Sequence, residues 1–257
     1  MKIINYEEIL DAFLWGFSFL ARPTLRNVMY GYQDIDDPRK ADAAIGRMTR
    51  KSLVQKTGKG KSASFEITDS GKKLVSFSSP RQGWDAPWDG HWRVVVFDLA
   101  AHRTKDRQAL WLALRSRKLG LLQRSVWIWP HEFEDSLKEI TNARGIPECF
   151  CGFESRRLFL CTDQEVVRSA WKFDRITEAH KIYLRQKRSF AKEIPKASNT
   201  TNLVRLAWEE RRAYQEGFLE DPILPTTLCP EGYLGYEVEE AHREIAQRVR
   251  ERFRQCR

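Results

Sequence analysis

The 257-residue chain predicts an α+β protein in three parts: an N-terminal winged helix-turn-helix, a central ferredoxin-like (βαββαβ) domain and a C-terminal helical domain. Three observations predict it. Residues 6–77 run helix, helix, helix, basic hairpin, helix; residues 92–161 interleave strand-like runs with helical ones; and from residue 174 onward the periodic segments are all helical. These divide the chain into 1–80, a linker at 81–89, a central domain at 90–172 and a helical domain at 173–257.

In residues 6–20, Ile9, Phe13, Phe17 and Leu20 form one apolar stripe, widened by Leu10 and Leu14, until Arg22-Pro23 breaks the helix. Residues 25–32 predict a short second helix, and 34–37 a turn. Asp37-Pro38 is an N-cap followed by Pro at the first helical position. In the third helix, 38–51, Ala41, Ile45 and Met48 form a buried face. Ala43, Arg47 and Arg50 make a second stripe, with Arg39, Lys40 and Lys51 nearby. Residues 53–56 and 64–68 alternate apolar and polar around Gly58-Lys59-Gly60-Lys61, a hairpin with a basic tip. Asp69-Ser70-Gly71 opens another helix.

That order is a winged helix-turn-helix, whose third helix enters the major groove while the wing follows the backbone. From Arg39 to Lys61 there are eight basic residues and one acid, Asp42. Such an excess suits phosphate, because each neutralised phosphate releases counterion, and arginine matches guanine edges bidentately. The candidate DNA contacts are Arg39, Lys40, Ala43, Arg47, Arg50, Lys51, Lys59 and Lys61.

The turn-rich stretch SSPRQGWDAP (78–87) leads to the central domain. Residues 93–99 are a β-branched and aromatic run, hence a buried strand. Residues 104–118 carry Leu110, Trp111 and Leu114 at helical spacing, and Gly120 is expected to end that helix with a positive φ. SVWIW (125–129) is the second strand; a helix over 131–143 and strand-like runs at 148–152 and 157–161 complete a split βαβ order. Beyond it, helices are predicted over 174–192, 202–217 and 237–253. The first has Ile176, Ala179, Ile182 and Tyr183 on one face, and a Pro-rich connector, DPILPTTLCPEGYLG, fills 221–235.

A net charge of +9 favours anionic partners. The apolar run 13–21 is far short of the roughly twenty residues that cross a bilayer, and acids precede it, so a cytoplasmic protein without membrane contact is expected. The 5 cysteines have no zinc-type spacing and read as free thiols, with Cys149 and Cys151 on one strand face and Cys161 on the next strand. Most of the 9 tryptophans read as core. No nucleophile elbow, P-loop or Rossmann glycine pattern occurs, and the five histidines stand alone in sequence. Neither enzyme activity, cofactor nor metal is predicted.

Three segments together resemble the PaaX family, repressors of phenylacetic acid degradation. They are Ala43-Ala44-Ile45-Gly46-Arg47-Met48 with the wing Gly60-Lys61…Phe65-Glu66-Ile67-Thr68…Gly71; the run from Trp92 to Pro130; and Asp221-Pro222-Ile223-Leu224-Pro225 with Leu228-Cys229-Pro230 and Tyr233-Leu234-Gly235. Asp42 departs from the arginine expected before the alanines, Ser52 from the glycine ending that helix, and Tyr233 stands nearest the family's tryptophan. The resemblance implies a homodimer on double-stranded operator DNA, released by an aryl- or acyl-CoA thioester. Such a ligand wants cations and an aromatic pocket, and Arg103, Arg107, Trp111, Arg115, Trp127 and Trp129 are the candidates; core and dimer surface are the competing reading. The central domain is similar to the small ferredoxin-like nuclease of CRISPR adaptation, whose metal-binding aspartate corresponds to Asp98. A metal-dependent nuclease is therefore one alternative, and an accessory nucleic-acid-binding protein without effector another.

Overall fold

The structure, a computed structural model, describes residues 46–57, 64–70, 80–100, 102–142, 145, 150–156 and 158–255. The chain is α+β and divides into two compact units, one of residues 80–183 and 215–238, the other of 1–79, 184–214 and 239–257.

In the first unit a four-stranded antiparallel sheet is built from β3 (Trp92–Phe97), β4 (Gly120–Gln123), β5 (Val126–Trp129) and β6 (Phe150–Ser155), in the order β4-β5-β3-β6. A short helix α1 (Arg81–Trp84) precedes β3, α2 (Thr104–Ser116) follows it and α3 (Glu134–Asn142) follows β5, which makes the split βαβ order. Strand alternation sorts the side chains into two cores. Phe97, Leu99, Trp127 and Leu121 pack under Leu110, Leu114 and Ile140 of the two helices. Trp92, Val94 and Ile128 face the other way and meet α4 (Asp163–Ala170), Trp171, and Leu224 and Leu228 of the connector. Leu224 of the Asp-Pro-x-Leu-Pro segment and Leu228 of the Leu-Cys-Pro segment thus close a sheet face.

Two expectations change here. The second strand of the plan is Gly120–Gln123, and Val126–Trp129 is its hairpin partner; residues 158–161 form no strand, so Cys161 lies in an exposed loop rather than beside Cys151 on a neighbouring strand. Gly120 does not provide the positive φ either. Lys118 does, at 62°, and completes the helix end: Leu119 N–H bonds Leu114 O at 3.3 Å and Lys118 N–H bonds Arg115 O at 2.8 Å. That is the Schellman arrangement, with C″ Leu119 and C3 Leu114 both buried. Gly120 is glycine for space, since a Cβ there would sit 2.7 Å from both Ala170 Cβ and Trp171 Cζ2.

Arg93, 8% exposed, ties this sheet together. It donates to both Asp89 carboxylate oxygens (2.9 and 2.5 Å), to Glu154 Oε1 across the β3–β6 pair (3.0 Å) and to Pro130 O (3.1 Å).

Three long helices, α5 (Phe173–Glu193), α6 (Thr200–Gly217) and α7 (Gly235–Gln255), account for most of the C-terminal residues. On α5 the buried positions are Ile176, His180 and Tyr183, whereas Ile182 is 43% exposed and lies off the face where its spacing had put it. In the second unit Ile194, Leu203, Leu206, Ala207, Ile245 and Val249 form one core, with Phe190 and Phe253 at its margin. The same unit holds the antiparallel hairpin of β1 (Val54–Thr57) and β2 (Ser64–Ile67). Among the described residues, no helix is long and apolar enough to cross a membrane.

Candidate nucleic-acid interface

Residues 46–50 are the described end of the third predicted helix, and the chain leaves it by a second Schellman turn. Leu53 N–H bonds Met48 O at 2.9 Å and Ser52 N–H bonds Thr49 O at 3.0 Å, with Ser52 at φ 55°. The serine that departs from the family's glycine therefore takes the left-handed conformation a glycine would take. The Thr68 hydroxyl donates to the Ser52 carbonyl at 2.5 Å, joining this turn to the residue after β2. Met48 (0% exposed), Leu53 and Val54 are buried. Burying them turns Arg50 and Lys51, and Lys56 in β1, outward, while Arg47 is half-buried. Five of the eight candidate DNA contacts, Arg39, Lys40, Ala43, Lys59 and Lys61, lie outside the described residues.

The candidate effector residues do not form one group. Trp111 and Trp127 meet edge-on at 6.3 Å, and Arg115 lies 5.1 Å over the Trp111 ring while pairing with Glu220 at 3.5 Å. Trp127 is 1% exposed, a core side chain. Arg103 and Arg107 sit at the opposite end of α2, where Arg103 pairs with Asp106 at 2.8 Å and Arg107 donates to Leu99 O. Trp129 packs against His131 and Trp171 and also borders the core that holds Trp127. Asp98 is exposed just beyond β3. Among the described residues, no three His, Cys, Asp or Glu side chains gather as a metal-binding group.

Sequence reasoning missed two buried polar clusters. In the first, Asp221 (1% exposed) accepts the Tyr233 hydroxyl at 2.7 Å and Ile223 N–H at 2.7 Å, while Trp84 Nε1 donates to the Tyr233 oxygen at 3.2 Å. His180, 0% exposed, brings Nε2 to 3.2 Å from Asp221 Oδ2, although neither ring nitrogen has an aligned hydrogen-bond partner. Burial and the Asp221 charge push the Tyr233 phenol upward, so it remains a donor. Burial pulls the Lys118 ammonium down, opposed by Asp221, and its Nζ donates to Phe218 O at 3.0 Å. Ile223 is held at φ 54°, and Gly83 makes room for it: a Cβ there would lie 2.6 Å from Ile223 Cγ2. An aspartate followed by Pro-x-Leu-Pro was the available signal; its partners come from distant segments.

The second cluster joins α6 and α7. His242 Nδ1 lies 2.9 Å from Glu210 Oε1, and its ring stacks on Tyr214 at 3.9 Å. The Tyr214 hydroxyl donates to Glu239, and burial together with Glu239 drives its acidity down. Both histidines therefore serve packing and pairing within the fold.

Residues 85–167 match the PaaX protein central Cas2-like domain, and residues 171–256 match the PaaX-like protein C-terminal domain. No curated protein matches the chain in sequence. Among solved structures, the uncharacterised protein Rv0674 from Mycobacterium tuberculosis is similar in fold, with a TM-score of 0.58 at 16% identity over 99% of each chain. Two adjoining domain matches, on a sheet whose second face is closed by Leu224 and Leu228 of the connector, have one reading: the chain belongs to the PaaX family.

Proposed function

We propose that the protein is a homodimeric, sequence-specific DNA-binding transcriptional regulator of the cytoplasm, a repressor of the PaaX type released by an acyl-CoA-like effector. Residues 1–80 grip the operator as a winged helix; 90–172 and 173–257 pair two copies and set the spacing of a two-fold site. Membership of a regulator family supports this reading. The observation that carries it is local: Met48, Leu53 and Val54 turn inward where the helix meets the hairpin, leaving Arg50, Lys51 and Lys56 facing solvent.

A band shift on the protein's own upstream DNA tests it. Arg47→Ala weakens specific binding by about 1–3 kcal/mol, and Lys59→Ala weakens all duplexes alike while lowering the salt slope by about 1. Unchanged affinity in both variants would remove these residues from the interface. For the effector, phenylacetyl-CoA raises the melting temperature of the wild type, and Trp111→Ala with Arg115→Ala abolishes the rise. The reading assigns no catalysis. Cleavage of duplex DNA with Mg²⁺ or Mn²⁺ that disappears in Asp98→Ala would replace it with a nuclease.

A further inference from the structure

The second half of α5 carries an excess of positive charge. Arg185, Arg188 and Lys192 follow at intervals of three and four residues, which places them on one helical face, and all three are exposed. Lys196, at the end of the following 3-10 turn (Ile194–Lys196), is exposed as well. The opposite face supplies Phe190 and Ala191 to the core with Ile194. From Arg185 to Lys196 the sole acid is Glu193, whose carboxylate accepts from the Ser189 hydroxyl at 2.6 Å. Lys187, off this stripe, pairs with Glu244 at 2.6 Å.

The other long helices of this unit are built differently. On α6, Arg205 pairs with Glu209 four residues on, at 2.6 Å. On α7, Glu240, Arg243, Glu244, Arg248, Arg250 and Glu251 mix the signs over its exposed positions. A surface that needs only solubility interleaves charges in that way. Like charges four apart, as at Arg188 and Lys192, repel and work against the helix, so the α5 stripe is maintained against a local cost.

We infer that this stripe is a second, sequence-independent contact for the phosphodiester backbone of duplex DNA, outside the winged domain. The dimensions agree. Seven residues of helix advance about 10 Å, and one DNA strand presents a phosphate roughly every 3.4 Å of axis, so about three phosphates fall along the stripe. Arginine and lysine here contact phosphate and read no bases, so they add affinity and orientation without specificity. The inference rests on the DNA-binding reading above and extends it to a surface with no counterpart in a winged helix.

The test uses the full chain, with Arg185→Gln, Arg188→Gln and Lys192→Gln combined, against the upstream duplex and an unrelated duplex of equal length over a salt series. The neutralised variant loses about 2–3 from the slope of log K against log salt and binds both duplexes roughly 10- to 100-fold more weakly near physiological salt. A charge-conserving variant (Arg185→Lys, Arg188→Lys, Lys192→Arg) keeps the wild-type slope. An unchanged slope in the neutralised variant, while the wild type binds, overturns the stripe and leaves the winged domain as the interface. An equal loss in the charge-conserving variant also overturns it, because the role would then be structural. Failure of the wild type to bind either duplex overturns both readings together. Loss of binding to vesicles of acidic phospholipid, with DNA binding intact, would assign the surface to a membrane instead.

Discussion

The Tyr233 hydroxyl hydrogen-bonds Asp221 Oδ2 at 2.7 Å inside the fold, where the carboxylate is 1% exposed. Its other oxygen takes the Ile223 N–H, so the aspartate of the family's connector is an internal anchor that fixes the chain just before Leu224 and Leu228 enter the sheet core. The Tyr233 ring also packs edge-on to Trp84 at 6.0 Å.

Removing that donor leaves a buried carboxylate short of one hydrogen bond. Tyr233→Phe therefore lowers stability by about 1–3 kcal/mol in denaturant unfolding, and Asp221→Ala lowers it by at least as much, because Tyr233 and Ile223 lose their common acceptor. A Tyr233→Phe variant as stable as the wild type would mean that the phenol finds no net benefit in Asp221.

The two left-handed helix ends separate conformational cost from side-chain use. Ser52 at φ 55° makes its described contact through its carbonyl, which glycine keeps, so Ser52→Gly stabilises by about 1 kcal/mol. Lys118 at φ 62° also spends its ammonium on Phe218 O, so Lys118→Gly gains the same relief, loses a buried charge-assisted bond and ends below the wild type. Thermal unfolding of the two variants should move in opposite directions.

The Arg93 clamp dictates a pH dependence. Hydrogen bonds from Arg93 bring the Asp89 carboxyl down from 3.8 to about 2. A depressed carboxylate contributes stability that is present in full above about pH 4 and is lost as the pH falls through about 2. Asp89→Asn accordingly costs about 1 kcal/mol or less at pH 7, since Asp89 is half-exposed, and the variant and wild-type curves converge near pH 2. A difference that persists at pH 2 would separate the effect from this ion pair.

Much of the sheet was readable from periodicity. The β-branched run at β3 and the aromatic run at β5 announced strands, and Leu110 and Leu114 marked the buried face of α2. Gly120–Gln123 was hidden because a four-residue strand is too short to display alternation, and Gly120 read as punctuation when its small size in fact answers to Ala170 and Trp171. The apolar run at 157–161 reads like a strand, but its described residues 158–161 stay irregular. Arg50 and Lys51 are exposed; of the effector candidates chosen for charge and aromaticity, Trp111, Arg115 and Trp127 come together, while Arg103 and Arg107 lie toward the start of α2.

Sequence by itself determined most of the local choices, because propensity, turn chemistry and apolar spacing act over a few residues: the long helices, the two apolar strands β3 and β5, and where cations concentrate. The tertiary structure alone decided which distant residues share a dry environment. Asp221 with Tyr233 and His180, Glu210 with His242, and Gly120 under Trp171 are each matched by packing and hydrogen bonding across segments that no local pattern connects.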